Sequence, residues 1–260
     1  MEARILAVDA GTTSVRGFVV DGTGSILGVG QREFPQHFPS PGLVEHDADE
    51  IWTATLAACG DALTAAGTRP DEVTCVGITN QRETTLLYDR ATLAPVHRAI
   101  VWQDRRTADR CEALRAAGHE DHLRRATGLV LDAYFSGTKA GWLLDHVAGA
   151  RDRAEAGDLA LATVDTWLVA RMTAGTAHVT EPSNASRTLL YDLAAGDFTD
   201  DLCGVLDVPR ALLPEVRDSA GAFGTTDPTA FLGVAAPITG IAGDQQAALF
   251  GQGAWTPGTS

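Results

Sequence analysis

Residues 5–30 read ILAVDAGTTSVRGFVVDGTGSILGVG, and the fold turns on how this stretch is divided. Residues 5–8, 15–20 and 25–34 are rich in Val, Ile and Phe, as strands are. Their connections are short, so the three strands are expected as antiparallel neighbours. A hairpin needs only a two-residue turn, and Asp21-Gly22 fits one. Asp9-Ala10-Gly11-Thr12-Thr13-Ser14 does not, because it carries more hydroxyls and backbone donors than a turn requires. As an anion cradle it makes sense. Gly11 allows close backbone approach, and successive N–H groups form a concavity that attracts anions. Thr12, Thr13 and Ser14 add hydroxyl donors, and Arg16 adds positive charge. Asp9, at a strand end, suits a hydrated Mg²⁺, which keeps most of its waters and takes one or two carboxylates. As a plain solvated turn the same six residues also make sense, and by themselves they do not separate the two readings.

Further on, Asp47 or Asp49 offers a helix N-cap, with Ile51, Trp52, Leu56, Cys59 and Leu63 on one face and Gly67 near the end. The apolar run 73–79 follows that helix and is expected to return parallel to the first strand. Helices are expected at 108–117 and 136–148, a strand at 159–164, and a helix at 165–172 opened by Asp165. A short helix at 202–206, a turn at 209–213, a strand at 238–242 and a helix at 245–251 complete the pattern. Residues 91–133 mix loops and charge and read as an excursion. This is an α/β pattern without the regular alternation or G-x-G-x-x-G of a dinucleotide-binding unit; Gly28-Val29-Gly30 lacks the third glycine.

At 260 residues the chain is long enough for a substantial core. Its net charge of −14 argues against a nucleic-acid partner, which needs clustered Lys and Arg. One lysine, Lys139, stands against nineteen arginines, and it is not in the Gly-Lys-Ser/Thr context of a Walker loop. Cys59, Cys75, Cys111 and Cys203 form no CxxC pair, so reduced thiols in a cytoplasmic protein are expected rather than disulfides or zinc. No apolar run approaches the ~20 residues of a membrane span. The seven histidines show no metal-ligand spacing.

Several motifs occur in order after the opening loop. They are Pro41-Gly42-Leu43-Val44-Glu45-His46-Asp47, Asn80-Gln81-Arg82-Glu83-Thr84-Thr85, Trp102-Gln103-Asp104-Arg105-Arg106, and Tyr134-Phe135-Ser136-Gly137-Thr138-Lys139. Asp165-Thr166-Trp167, Asn184-Ala185-Ser186-Arg187-Thr188 and Gly243-Asp244-Gln245-Gln246 follow. Over essentially the whole chain this resembles the glycerol kinases of the FGGY carbohydrate kinase family. The resemblance implies a ribonuclease H-like (actin-like ATPase) α/β fold. That fold has a mixed sheet, antiparallel N-terminal hairpins and flanking helices. It implies Mg-ATP and glycerol as ligands. Asp244 would be the general base, with Arg82, Glu83, Trp102, Tyr134, Asp244 and Gln245 around the polyol. The nucleotide phosphates would meet Asp9, Gly11, Thr12, Thr13, Ser14 and Arg16, with Asp9 also toward the metal. Each residue has a plainer reading as well: a helix cap for Asp244, a surface ion pair for Arg82 and Glu83, core packing for the aromatics. Members of that family are often dimers or tetramers, which leaves a homo-oligomer open.

The match departs from the family at three places. Ala10 stands where a Gln is usual. Residues 225–234 contain no Arg or Lys, whereas some bacterial members bind fructose 1,6-bisphosphate there with a basic Gly-rich loop, so that feedback is not expected. Residues 1–251 are expected to form the substrate-binding domain, with 252–260 starting a connection to a nucleotide-binding domain. The second phosphate loop of the family lies beyond them, so weak or absent turnover by this chain alone is expected. Other FGGY polyol or ketose kinases, and a non-catalytic glycerol-binding fragment, are the competing readings.

Overall fold

The structure is a computed structural model that describes residues 3–254 and 256–259. Trp255 and Ser260, within the expected connection at 252–260, lie outside the described residues. The chain opens with β1 (Arg4–Ala10), β2 (Ser14–Asp21) and β3 (Ile26–Glu33), an antiparallel meander. Helix α1 (Ala48–Ala66) follows, then β4 (Cys75–Asn80), which returns parallel to β1. After a long excursion come β5 (Ala220–Thr225), β6 (Pro237–Gly243) and α2 (Asp244–Gly251). Together they make one six-stranded mixed sheet in the order β5-β6-β4-β1-β2-β3, with β6 parallel to β4 and β5 antiparallel to β6.

Helix α1 is bounded as its sequence demands. Asp47 is the N-cap, its Oδ1 accepting from the backbone N–H of Asp49 and Glu50. Gly67 ends it at φ 61°, a left-handed conformation that suits glycine. Ile51, Trp52, Cys59 and Leu63 are buried against Leu6, Val8, Val15 and Val19 of the sheet. The glycines of β3 have their use here. A Cβ on Gly30 would stand 2.2 Å from the Ala58 carbonyl oxygen, and one on Gly28 2.4 Å from that of Ala62. Only bare backbone lets α1 lie this close.

The excursion is longer than residues 91–133. It carries its own apolar core, drawn from residues between Leu87 and Leu213 and including Leu123, Leu143, Leu161 and Leu206. The expected helices run Ala108–Ala116 and Ser136–His146, and the expected strand at 159–164 is Leu159–Ala162, antiparallel to Leu86–Asp89. Two details differ from the sequence reading. Asp165 does not open its helix, which runs Val164–Met172 with Thr163 at the N-cap. Its carboxylate points inward, fully buried, and accepts from the hydroxyls of Thr163 and Thr180. The β2–β3 connection is also not a two-residue Asp-Gly turn. Asp21 is the last residue of β2, its side chain accepts from the N–H of Thr23 and Ser25, and Gly24 holds the positive φ of 86°. All four cysteines are free, Cys75 being the one not fully buried. No helix among the described residues is long and apolar enough to cross a membrane.

His46 and His178 are packed inside as neutral rings, and burial pushes both pKa values down to about 4. Their unfolded value is near 6.5, so the unfolded chain binds more protons between those limits. The contribution of these two rings is therefore expected to be full above pH 6.5 and to fall by a few kcal/mol as pH drops toward 4. Asp165, raised to about 6 by burial, works in the opposite direction and offsets part of the loss. Urea unfolding at stepped pH checks this, and His178→Gln should flatten the acid limb.

Candidate active site

Three parallel strands end in line. Ala10 of β1 is in register with Asn80 of β4, and Asn80 with Gly243 of β6. The carboxyl ends of parallel strands are where α/β sheets bind ligands. The segments that leave these ends are residues 11–13, residues 81–84 and the start of α2 at Asp244. Gln81 joins the first two: its backbone N–H donates to the Ala10 carbonyl at 2.8 Å, and its Nε2 to the Gly11 carbonyl at 3.0 Å. The next turn is tight. Glu83 adopts φ 63°, and the N–H of Thr84 reaches back to the Arg82 carbonyl. A non-glycine residue in this region is uncommon and is held by its surroundings. Here the Glu83 carbonyl accepts from the hydroxyls of Thr85 and Ser136 and from Lys139 Nζ.

Around this point lies a cleft of about 100 Å³ lined by Thr12, Gln81, Arg82, Glu83, Trp102, Tyr134, Asp244 and Gln245. That is small beside the roughly 300–1,000 Å³ of drug-sized pockets, and suits a ligand of a few heavy atoms. Arg82 is 5% exposed; its Nε donates to Asp244 Oδ1 at 3.1 Å and its Nη1 to Gln246 Oε1 at 3.2 Å. Asp244 is the first residue of α2, after the N-cap Gly243, and its side chain stays 45% exposed. Trp102 and Tyr134 face each other with ring centroids 5.6 Å apart, and Trp102 Nε1 donates to Thr12 Oγ1 at 3.0 Å. The cleft thus offers guanidinium donors, two carboxylates and two aromatic walls. That combination suits a compact molecule with hydroxyls on a short carbon chain.

All six residues expected around the polyol therefore line one cleft. Of the residues expected on the phosphate side, Thr12 lines the same cleft. Asp9 Oδ2 accepts from Arg16 Nη1 at 3.3 Å across the β1–β2 pair. Burial raises the Asp9 pKa; Arg16 opposes this and the charge of Asp244 adds to it. The backbone N–H groups of Thr12 and Thr13 make no hydrogen bond within the described residues. Gly11 N–H is used internally, donating to the Ser14 carbonyl. Ser14 lies inside β2, buried, and its hydroxyl accepts from Gln31 Nε2 at 3.2 Å. No cluster of three or more His, Cys, Asp or Glu among the described residues is placed to hold a metal ion unaided. A larger apolar cleft of about 700 Å³, lined in part by Tyr191, Leu193, Ile241 and Phe250, contains no carboxylate and no cation.

Three residues that the sequence reading left without a role shape the site. Arg187 Nε pairs with Glu83 Oε1 at 2.5 Å, and its guanidinium lies 4.8 Å from the Phe135 ring centre and 5.7 Å from that of Tyr134. Burial raises the Glu83 pKa, and Arg187 opposes the rise. Lys139 is fully buried; its Nζ donates to the carbonyls of Tyr134, at 2.5 Å, and Glu83, at 3.3 Å, and burial lowers its pKa to about 7. Gly243 makes room for Arg82: a Cβ there would stand 2.4 Å from Arg82 Cδ. The motif Asn184-Ala185-Ser186-Arg187-Thr188 and the lone lysine were the available signals.

The fold and cleft define an α/β domain with a small polar cleft at the carboxyl ends of its parallel strands, beside the loop at residues 11–13. The chain belongs to the FGGY family of carbohydrate kinases: the family profile for the N-terminal domain matches residues 4–251. It is 58% identical to a glycerol kinase of Deinococcus radiodurans over 248 residues, covering 95% of this chain and 49% of that protein. It is 57% identical to a glycerol kinase of Bordetella parapertussis over 254 residues, covering 98% of this chain and 50% of that one. The chain spans about half the length of the curated relatives it matches. A crystal structure of Plasmodium falciparum glycerol kinase with ADP superposes with a TM-score of 0.90 at 30% identity, over 97% of this chain and 50% of that chain. A xylulose kinase from Rhodospirillum rubrum, 22% identical, shares the fold with a TM-score of 0.87, over 98% of this chain and 52% of that one. The actin-like ATPase fold is that of the family.

Two substitutions test this geometry. Gly243→Ala forces Arg82 aside and is expected to cost about 1–3 kcal/mol as overpacking; an unchanged urea midpoint would mean Arg82 moves freely. Arg187→Met leaves Glu83 buried without its partner and is expected to cost about 2–4 kcal/mol at neutral pH. The loss should shrink toward pH 5, because the stranded carboxyl then takes up a proton. Adding Glu83→Gln should recover part of it, and a double variant no better than Arg187→Met would contradict the pairing.

Proposed function

We propose that this chain forms the substrate-binding half of an ATP-dependent glycerol kinase, producing glycerol 3-phosphate. The observation that carries the reading is the convergence of Arg82, Glu83, Trp102, Tyr134, Asp244 and Gln245 on one cleft of about 100 Å³. A triol has little apolar area, so its recognition rests on polar groups that go unpaired without it. Arg82 donates to a glycerol hydroxyl, while Glu83 accepts from one. Trp102 and Tyr134 pack the carbon chain and narrow the access of water. Asp244, partly exposed and oriented by Arg82, accepts the proton of the hydroxyl that attacks the terminal phosphate.

Residues 11–13 fit the phosphate side, since Thr12 and Thr13 offer N–H groups with no partner among the described residues. Mg²⁺ commonly takes one or two carboxylates together with substrate phosphates. Asp9 would hold such an ion, directly or through water, and the ion would neutralise phosphate charge. Its positive charge would also ease the mutual repulsion of Asp9 and Asp244. Residues 1–251 act as the substrate-binding domain in this reading, and the four free cysteines accord with the reducing cytoplasm.

The test is glycerol-dependent ADP release by a fusion of residues 1–251 to the second half of the Deinococcus radiodurans relative, with the present chain as reference. The fusion is expected to turn over with glycerol. Asp244→Asn should lower kcat by about 10²–10⁴-fold, the usual contribution of a placed base. Full activity in Asp244→Asn would remove Asp244 from that role. Turnover with another polyol or a ketose but not glycerol would replace the substrate.

A further inference from the structure

The stretch Asn184-Ala185-Ser186-Arg187-Thr188 begins inside a short helix, Pro182–Ala185. Its N-cap is Glu181, which is fully buried and is not among the residues lining the cleft. The Glu181 carboxylate accepts five hydrogen bonds, all from neutral donors. Oε1 accepts from Ser183 Oγ at 2.6 Å, the Asn184 N–H at 2.7 Å and Asn184 Nδ2 at 3.0 Å. Oε2 accepts from the Ser183 N–H at 2.9 Å and Ser219 Oγ at 2.6 Å. A buried carboxylate is a costly way to fill space, and it persists where several donors satisfy its oxygens.

What those donors do next matters more. Ser183 Oγ, whose hydroxyl donates to Glu181, accepts from the N–H of Gly243 at 2.8 Å, one residue before Asp244. The Asn184 side chain exchanges two hydrogen bonds with Asn80, at 2.9 and 3.1 Å, two residues before Arg82. Both partners of the Arg82–Asp244 bond therefore stand just beyond a point tied to this segment, and both ties depend on one carboxylate.

We infer that Glu181 is a positioning residue for the cleft, setting the placement of Arg82 against Asp244 through Ser183 and Asn184. Its link to catalysis rests on the kinase reading above; its geometry does not. Replacement by Gln is informative because neither amide orientation works. One puts an NH₂ group against three donors, the other against two. Asp keeps two acceptor oxygens on a shorter stem and is the conservative variant. Ser183→Ala removes the Gly243 tie, together with the hydroxyl's own bond to Glu181, and leaves the Asn184–Asn80 tie in place.

The experiment follows solvent exchange of the Arg82 Nε–H by NMR in the ligand-free 260-residue chain, for the parent, Glu181→Gln, Glu181→Asp and Ser183→Ala. Glycerol affinity is measured on the same samples by calorimetry. Exchange is expected to accelerate about tenfold or more in Glu181→Gln and Ser183→Ala, the scale of one lost buried hydrogen bond, and far less in Glu181→Asp. Glycerol affinity should weaken in the same order. Unchanged exchange in Glu181→Gln and Ser183→Ala overturns the inference, even if both variants melt earlier. Accelerated exchange in a chain whose parent binds no glycerol sustains the positioning role and instead defeats the polyol reading. Should Glu181→Gln fail to fold, Ser183→Ala and Glu181→Asp still decide.

Discussion

The site depends on register. Ala10, Asn80 and Gly243 are aligned across three parallel strands, so the chain leaves the sheet at three neighbouring points on one edge. A slip of one residue in any of them would turn its side chains to the other face of the sheet. The apolar side chains of β1, β4 and β6 resist that slip. Leu6, Val8, Val76, Ile78, Ile238 and Ile241 share one core, and α1 closes over it on the bare backbone of β3. Placement of Asp9, Arg82 and Asp244 is thus a consequence of how the core is packed some distance away.

Electrostatics at the edge are less stable than the packing beneath it. Glu83 is buried in a left-handed turn, paired with Arg187, and its carbonyl is held by a buried lysine. Breaking such an arrangement costs more than forming it gains, because each lone partner is left desolvated. The arrangement is better understood as fixing direction than as adding stability. Arg82 points across Gly243 at Asp244, and Glu83 is turned back toward Arg187 and Tyr134. On a chain with a net charge of −14, buried Arg82, partly buried Arg187 and the more exposed Arg16 set positive charge among the carboxylates of Asp244, Glu83 and Asp9.

Much of the fold was legible in the sequence because its signals are local. The meander follows from Val and Ile runs with short connections, and α1 from Asp47, an apolar face and Gly67. The strands β4 and β6 stand out as compact apolar runs. The short, glycine-rich strand β5 (AGAFGT) was not legible, since it has little β-branched content and pairs at the sheet edge. Asp165 looked like a helix cap because sequence position cannot distinguish an outward carboxylate from one buried between two threonines. Within the cleft, the motif resemblance named the residues that line it. It did not reveal that Gly243 is small to let Arg82 pass, or that Lys139 and Arg187 meet at Glu83. The two contacts at Glu83 join residues 56 and 104 positions apart, which only the folded chain brings together.

The most direct test of the account is a crystal structure of this chain with glycerol. The account predicts one glycerol in the cleft, its hydroxyls on Arg82, Glu83 and Asp244 and its carbon chain between Trp102 and Tyr134. A cleft that stays empty at saturating glycerol, or glycerol ordered elsewhere with Arg82 and Asp244 untouched, would contradict it.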